Sequence, residues 1–159
     1  MHQPQREITD SAQIEQFIQT GHVLQLALND GVYPYVVPVN YGYVFDAANH
    51  LHLYVHGAPV GKKRDLIAKD PHIAFSIVAN QAFEHSVNGC TYWFNSVLGT
   101  GTATLLTTDA EKAQALQLLL HHEAGDQTTL DLSGKDLSHL GAIRIDVNQL
   151  TAKSHQPQA

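Results

Sequence analysis

The sequence predicts a mainly β protein: about six antiparallel strands curled into a closed or split barrel, with two or three helices appended. Three observations carry this. "HVLQLALN", "LHLYVH" and "GAIRIDVNQLTAK" alternate apolar and polar residues, the period of a half-buried strand. The links between such runs are short and rich in turn residues, so successive strands return antiparallel. One long stretch, "TDAEKAQALQLLLHHEAG", carries a strong helical pattern.

Taken in order, "ITDSAQIEQFIQTG" opens with Thr9 or Asp10 as N-cap, spaces Ile14, Phe17 and Ile18 helically, and stops at Gly21. "HVLQLALN" is a strand, and "NDG" at Asn29 to Gly31 is its hairpin turn. "YPYVVPVNYGYVF" returns as one strand whose Pro34 and Pro38 predict an edge or an interrupted ladder. "DAANH" turns into "LHLYVH". "GKKRDLIAKDP" is a short helix closed by Pro71, and "HIAFSIVAN" is the next strand. After a polar loop, "CTYWFNSVLGTGTATLLT" forms one bent strand or two hinged at Gly99 and Gly101. The long helix follows, with a Thr/Asp cap, Ala110, Ala113, Leu116 and Leu120 on one face, and Gly125 as its stop. A polar loop then leads into the last strand.

At 159 residues, 43% of them apolar, the chain predicts a single domain with a real core, spanning about residues 6–153 between short tails. Nine basic against fifteen acidic residues give a net charge of -6, which argues against nucleic acid or an anionic membrane as a general partner. No apolar run approaches the roughly 20 residues of a bilayer span. "MHQPQREITD" lacks the apolar core of a secretory leader. A single cysteine, Cys90, fits a reducing compartment, so a cytoplasmic location is expected.

The stretch "HLHLYVHGAPVGKKRD" at residues 50–65 draws the functional question. His50, His52, Tyr54 and His56 share one strand face, opposite Leu51, Leu53 and Val55. His-x-His can place two imidazoles on one zinc, but no third ligand follows in the pattern, and His121–His122 diverge on a helix. No metal is expected, and His50 and His52 read as surface residues. The Gly-Ala-Pro break leads into Lys62, Lys63 and Arg64 at the start of a helix, where unpaired N–H groups already favour an anion. Cations there oppose the helix dipole and call for a phosphate-like partner, with Arg64 able to bind it bidentately. A solvated basic turn is the plain alternative. The tyrosines and asparagine of "PYVVPVNYGY" can face a planar heterocycle or simply fill a core. Ser96 and Cys90 belong to no nucleophile–base motif.

"REITD", "YPYVVPVNYGYVF", "LYVHGAPVGKK" and "FNSVLGTGTATLL" followed by "EKAQAL" stand in the order and spacing of one family. Over residues 6–153 the chain resembles the pyridoxamine-phosphate-oxidase-like flavoproteins, and among them the group related to NimA-type 5-nitroimidazole reductases. The resemblance implies a split β-barrel homodimer with FMN at the subunit interface. It implies that Val37, Pro38, Val39, Asn40 and Tyr41 line the flavin. His56, Gly57 and Ala58 would lie near the isoalloxazine and ribityl chain, Lys62 and Lys63 at the phosphate, and Ser96 near the cofactor. His56 is the implied catalytic or substrate-positioning residue. The implied activity is reduction of a small organic substrate, such as a nitroaromatic, with electrons from a nicotinamide or a partner reductase. Two rivals stand beside it: a module that holds FMN or haem without turnover, and an interaction protein with no cofactor. Phe94 departs from the family's usual tyrosine two residues before Ser96, and "NQAFEHSVNGCTYWF" aligns poorly, so no role passes to Cys90 or Trp93.

Overall fold

Alternation decides which face each strand buries, and the computed structural model, which describes residues 3–125, 128–132 and 134–157, shows the outcome. In chain order the elements are β1 (Glu7–Ile8), α1 (Ser11–Thr20), β2 (Leu24–Leu28), β3 (Tyr35–Val39), β4 (Gly42–Phe45), β5 (Leu51–Gly57), α2 (Lys62–Lys69), β6 (His72–Ser86), β7 (Gly89–Leu106), α3 (Asp109–Ala124) and β8 (Gly141–His155). One antiparallel sheet runs β3-β2-β6-β7-β8-β5-β4, with β1 added to β8. β3 and β4 are consecutive in the chain yet form the two edges, so the curled sheet stays open between them. This is the predicted split barrel.

Leu24, Leu26, Leu53, Val55, Ile77, Val97 and Ile145 point inward and are essentially inaccessible. Phe17 and Ile18 of α1 and Leu66 and Ile67 of α2 join them in the same cluster. A second, smaller cluster lies outside the barrel, where Ala115 of α3 covers Tyr54, Leu106 and Ala142.

Local chemistry sets the helix ends. Asp10 caps α1 by accepting the Gln13 N–H at 2.8 Å. Thr108 and Glu111 form a reciprocal capping box on α3, and Gly125, at φ +91°, ends it. The turn after β2 holds Gly31 at φ +78°, with its N–H on the Asn29 side chain.

Three expectations change, and for one stretch the structure selects between the two alternatives. "YPYVVPVNYGYVF" is two strands, because Tyr41 turns its ring into the interior between β3 and β4; with β1 added, the sheet exceeds six strands. "CTYWFNSVLGTGTATLLT" is one strand with a register shift between Thr100 and Gly101. The segment around "NQAFEHSVNGC" is no loop: β6 and β7 continue through a bulge at Ala79–Ala82 into a ribbon that pairs Phe83 with Tyr92 and His85 with Cys90. Finally, α3 buries Lys112 and Ala115 rather than Ala110, Ala113, Leu116 and Leu120. Apolar residues ring "ALQLLL" on all sides, so periodicity cannot select its packing face. Parts of the polar loop after α3, at 126–127 and 133, lie outside the described residues, as do 1–2 and 158–159 at the ends.

Candidate functional site

β5 delivers the histidine face to the site. Leu51, Leu53 and Val55 bind the strand to the core, so His52, Tyr54 and His56 share the outer face. α3 covers Tyr54, whereas His56 emerges beyond it, exposed, opposite Ala142 of β8. Gly57 then pairs with Gly141. A Cβ on Gly141 would fall 2.2 Å from the Ala58 carbonyl, so the loop after β5 can lie against β8 only because that residue is glycine.

The loop turns at Gly61, φ +124°, into α2, whose N-cap has no side-chain hydrogen bond. The three cations that follow have different environments. Lys62 Nζ lies 2.5 Å from Asp30 Oδ2 and 5.0 Å from the centre of the Tyr35 ring. Lys63 is half-buried, and its Nζ would be 3.4 Å from a Cβ on Gly57. Burial, and then the Arg64 guanidinium, push the Lys63 ammonium below its ordinary range. Arg64 reaches the Ala142 carbonyl with a long 3.4 Å contact. Among the described residues, no carboxylate lies within ion-pair distance of Lys63 or Arg64. A desolvated cation beside a second one, with no anion, is an unsatisfied arrangement that a phosphate would satisfy.

The remaining residues named from sequence lie elsewhere. Val37 and Val39 pack partly into the core from edge strand β3, and Pro38 faces outward opposite Gln25. Asn40 donates to the His22 carbonyl and to Glu123 Oε1, at 3.2 and 3.1 Å. Tyr41 is fully buried, its hydroxyl 2.6 and 2.8 Å from the carbonyls of Ile18 and Gly21. Burial pushes that phenol far above its ordinary range, with Tyr43 and Glu123 adding to the effect. Both side chains are thus engaged in joining α1, the β3–β4 link and α3. Ser96 is buried on β7, opposite Val78 and Lys153. Leu106 is the β7 residue in the row of Ala142 and His56, and the strand from Ser96 to Leu106 is about 33 Å long at roughly 3.3 Å per residue. One chain therefore gathers His56, Gly57, Ala58, Lys62 and Lys63, with Arg64 added, and leaves Ser96 apart.

His52 is not a free surface residue. Its Nδ1 is 2.6 Å from Asp146 Oδ1 and its Nε2 is 3.4 Å from Asp46 Oδ2. Arg144 Nη2 donates to Asp146 Oδ2 at 3.1 Å. Sequence reasoning missed this network because Asp146 is 94 residues from His52, and only cross-strand pairing brings them together. Asp30 was missed because packing of α2, not local pattern, brings Lys62 to it. Among the described residues no three His, Cys, Asp or Glu side chains are grouped to hold a metal, and no helix is long and apolar enough to cross a membrane.

The family model for pyridoxamine 5'-phosphate oxidase matches residues 10–154. The chain belongs to that family. Solved structures repeat the fold. A protein named for 5-nitroimidazole antibiotic resistance, from Bacteroides thetaiotaomicron, superposes with a TM-score of 0.77 at 24% identity, over 92% of this chain and 85% of its own. An FAD- and haem-binding protein from Mycobacterium smegmatis gives 0.79 at 18%, over 96% and 74%. An FAD-binding protein from Mesorhizobium loti gives 0.65 at 23%, over 95% and 98%. No curated protein sequence matches the chain. At these identities the likeness to solved structures is one of fold.

Proposed function

We propose that this member of the pyridoxamine 5'-phosphate oxidase family is an FMN-binding oxidoreductase acting on a small organic substrate of the nitroaromatic kind. The observation that carries the reading is the Lys63–Arg64 pair, half-buried beside Gly57 and lacking a carboxylate. Lys63 and Arg64 would hold the FMN phosphate, with Lys62 sharing its charge between that phosphate and Asp30. Bound flavin would supply the transfer of electrons from a nicotinamide or a reductase to the substrate. Gly57 and Ala58 leave room for a ring system to approach the backbone. His56, exposed at the strand end, can orient the substrate and hold or deliver a proton from a ring nitrogen. The FAD- and haem-binding neighbours support a cofactor role for the fold.

The reading includes a homodimer. Ser96 is too far along β7 to meet a flavin at His56 of its own chain. Val78, Leu98, Phe83 and Tyr92 are exposed along β6 and β7, an apolar surface that a second copy would cover.

Titration of the purified protein with FMN, followed by quenching of flavin fluorescence, is the test. Saturable binding is expected, weakened at least tenfold in Lys63→Ala with Arg64→Ala. Absence of FMN uptake, or equal affinity in the double variant, would overturn the reading. A Soret band on haem addition that disappears in His56→Ala would instead favour the haem-holding alternative.

A further inference from the structure

One edge of β8 is interrupted. β7 pairs with β8 from Ala142 to His155, so β5 and β1 share the opposite edge. β5 holds that edge from Gly141 to Asp146, and β1 holds Ala152 and Lys153. Between them, residues 147–151 have no strand on that side among the described residues. A cavity of about 210 Å³ opens in this gap, lined by 147–150 of β8 on one side and by Thr9 and residues 49–51 on the other. A void of roughly 150 Å³ holds benzene in an engineered protein core, so one ring with a substituent fits here.

Local structure fixes the shape of the gap. β8 bulges there: Gln149 lies opposite Thr100 and Val147 opposite Gly101, which makes Asn148 the extra residue. Across the gap, Asp46 Oδ1 accepts the N–H groups of Ala48 and His50 at 2.9 and 2.8 Å, and Asn49 stands at φ +63°. The His50 carbonyl accepts the Asp46 N–H in the same turn, so β5 cannot extend its pairing along β8. β5 closes one end of the gap and β1 the other, which leaves room for a small molecule and not for a strand of another chain.

The floor is apolar: Leu51 is buried, and Ile14, Phe45 and Leu150 pack on the barrel core. The rim is polar and exposed. Its carboxamides, on Asn49, Asn148 and Gln149, have no hydrogen-bond partner among the described residues. No carboxylate, lysine or arginine lines the cavity among them, so a charged ligand would lose its hydration with no countercharge to replace it. His50 stands on the rim with its Nδ1 3.4 Å from Asp46 Oδ2, so a charge on that ring is offset by the carboxylate. An apolar floor, free carboxamides and an unpaired main-chain edge together favour a neutral ring bearing a group that both donates and accepts.

We propose that the gap in the β8 edge binds a small neutral aromatic carboxamide, its ring on Phe45, Leu51 and Leu150 and its amide on the 147–151 backbone and the rim carboxamides. The site lies at the opposite end of β5 from the Lys63 corner and is independent of the flavin reading.

Amide-proton NMR of the full chain, titrated with benzamide, tests the proposal. Benzoate and benzamidine carry the same ring with negative and positive charge. Saturable shifts of the main-chain amides at 147–151 are expected with benzamide, and binding at least tenfold weaker with either charged analogue. Asn49→Gly with Asn148→Ala removes two exposed carboxamides, and φ +63° suits glycine. This variant should keep the wild-type melting temperature and bind benzamide about tenfold more weakly. Should it melt earlier, the single variant Asn148→Ala makes the same comparison, with a several-fold loss expected. The proposal is overturned if benzamide gives no saturable shifts, if the shifts fall outside the gap, if benzoate or benzamidine binds as tightly, or if the variants keep wild-type affinity. No step uses FMN, so a failure of flavin to bind leaves these outcomes unaffected.

Discussion

Lys63 shows how much a single residue's setting matters. In the sequence it is the middle of three equivalent cations; in the fold Lys62 has Asp30, Arg64 reaches a carbonyl, and Lys63 is half-buried without an anion. Because its folded pKa lies below the unfolded value of 10.5, the folded chain binds fewer protons than the unfolded chain between the two. Stability therefore carries a penalty at neutral pH that is relieved as pH rises toward the unfolded value. Thermal melts from about pH 8 to 10.5 should show Lys63→Met more stable than the wild type at the low end, the gap closing as pH rises. Bound phosphate should close the gap at every pH, since an anion restores the preference for the charged ammonium. A constant gap without phosphate would contradict this. The type of chemistry at Lys63 was legible in "GKKRD"; which cation lacked a partner was not, since Asp30 lies more than thirty positions away.

At the scale of elements, helix ends were readable and helix faces were not. Asp10, Thr108 and Gly125 act as the caps their chemistry predicts, because a cap bonds groups within a turn of itself. The face α3 buries depends instead on what lies beneath it. Gly42 is part of that answer: a Cβ there would fall 2.3 Å from the Leu119 backbone nitrogen, so the helix rests directly on the β4 backbone. Gly42→Ala should therefore push α3 off Tyr54 and Ala142 and cost about 1–3 kcal/mol in denaturant unfolding, in the range of overpacked cores. A loss well under 0.5 kcal/mol would mean that the helix shifts freely. The β6–β7 ribbon shows the reverse error. Its polar, Gly-containing composition read as loop, yet Trp93 donates to Glu84 across it at 2.8 Å and the strands remain paired to Ser86 and Gly89.

For the whole molecule, the sheet order puts β3 and β4 at the open edges and sets β6 and β7 side by side in the sheet, with Val78 and Leu98 exposed on them. Leu98 is about half exposed there, beside Val78. If a second copy covers this surface, Leu98→Asp should convert a dimer to a monomer in light scattering, lower FMN affinity and leave the monomer folded. An unchanged mass, or a wild-type chain that is monomeric at every concentration, would rule out this face as the interface.

The sequence alone determined the mainly β antiparallel class, the caps and the strand alternation. Each depends on residues within a few positions of one another. Tertiary structure decided the rest: that Tyr41 belongs to the interior, that His52 meets Asp146, and that Ser96 is remote from His56. It also decided that Asn49, Leu51 and Asn148 share a cavity. Those relations join residues far apart in the chain, and cross-strand register and helix packing, not local pattern, set them.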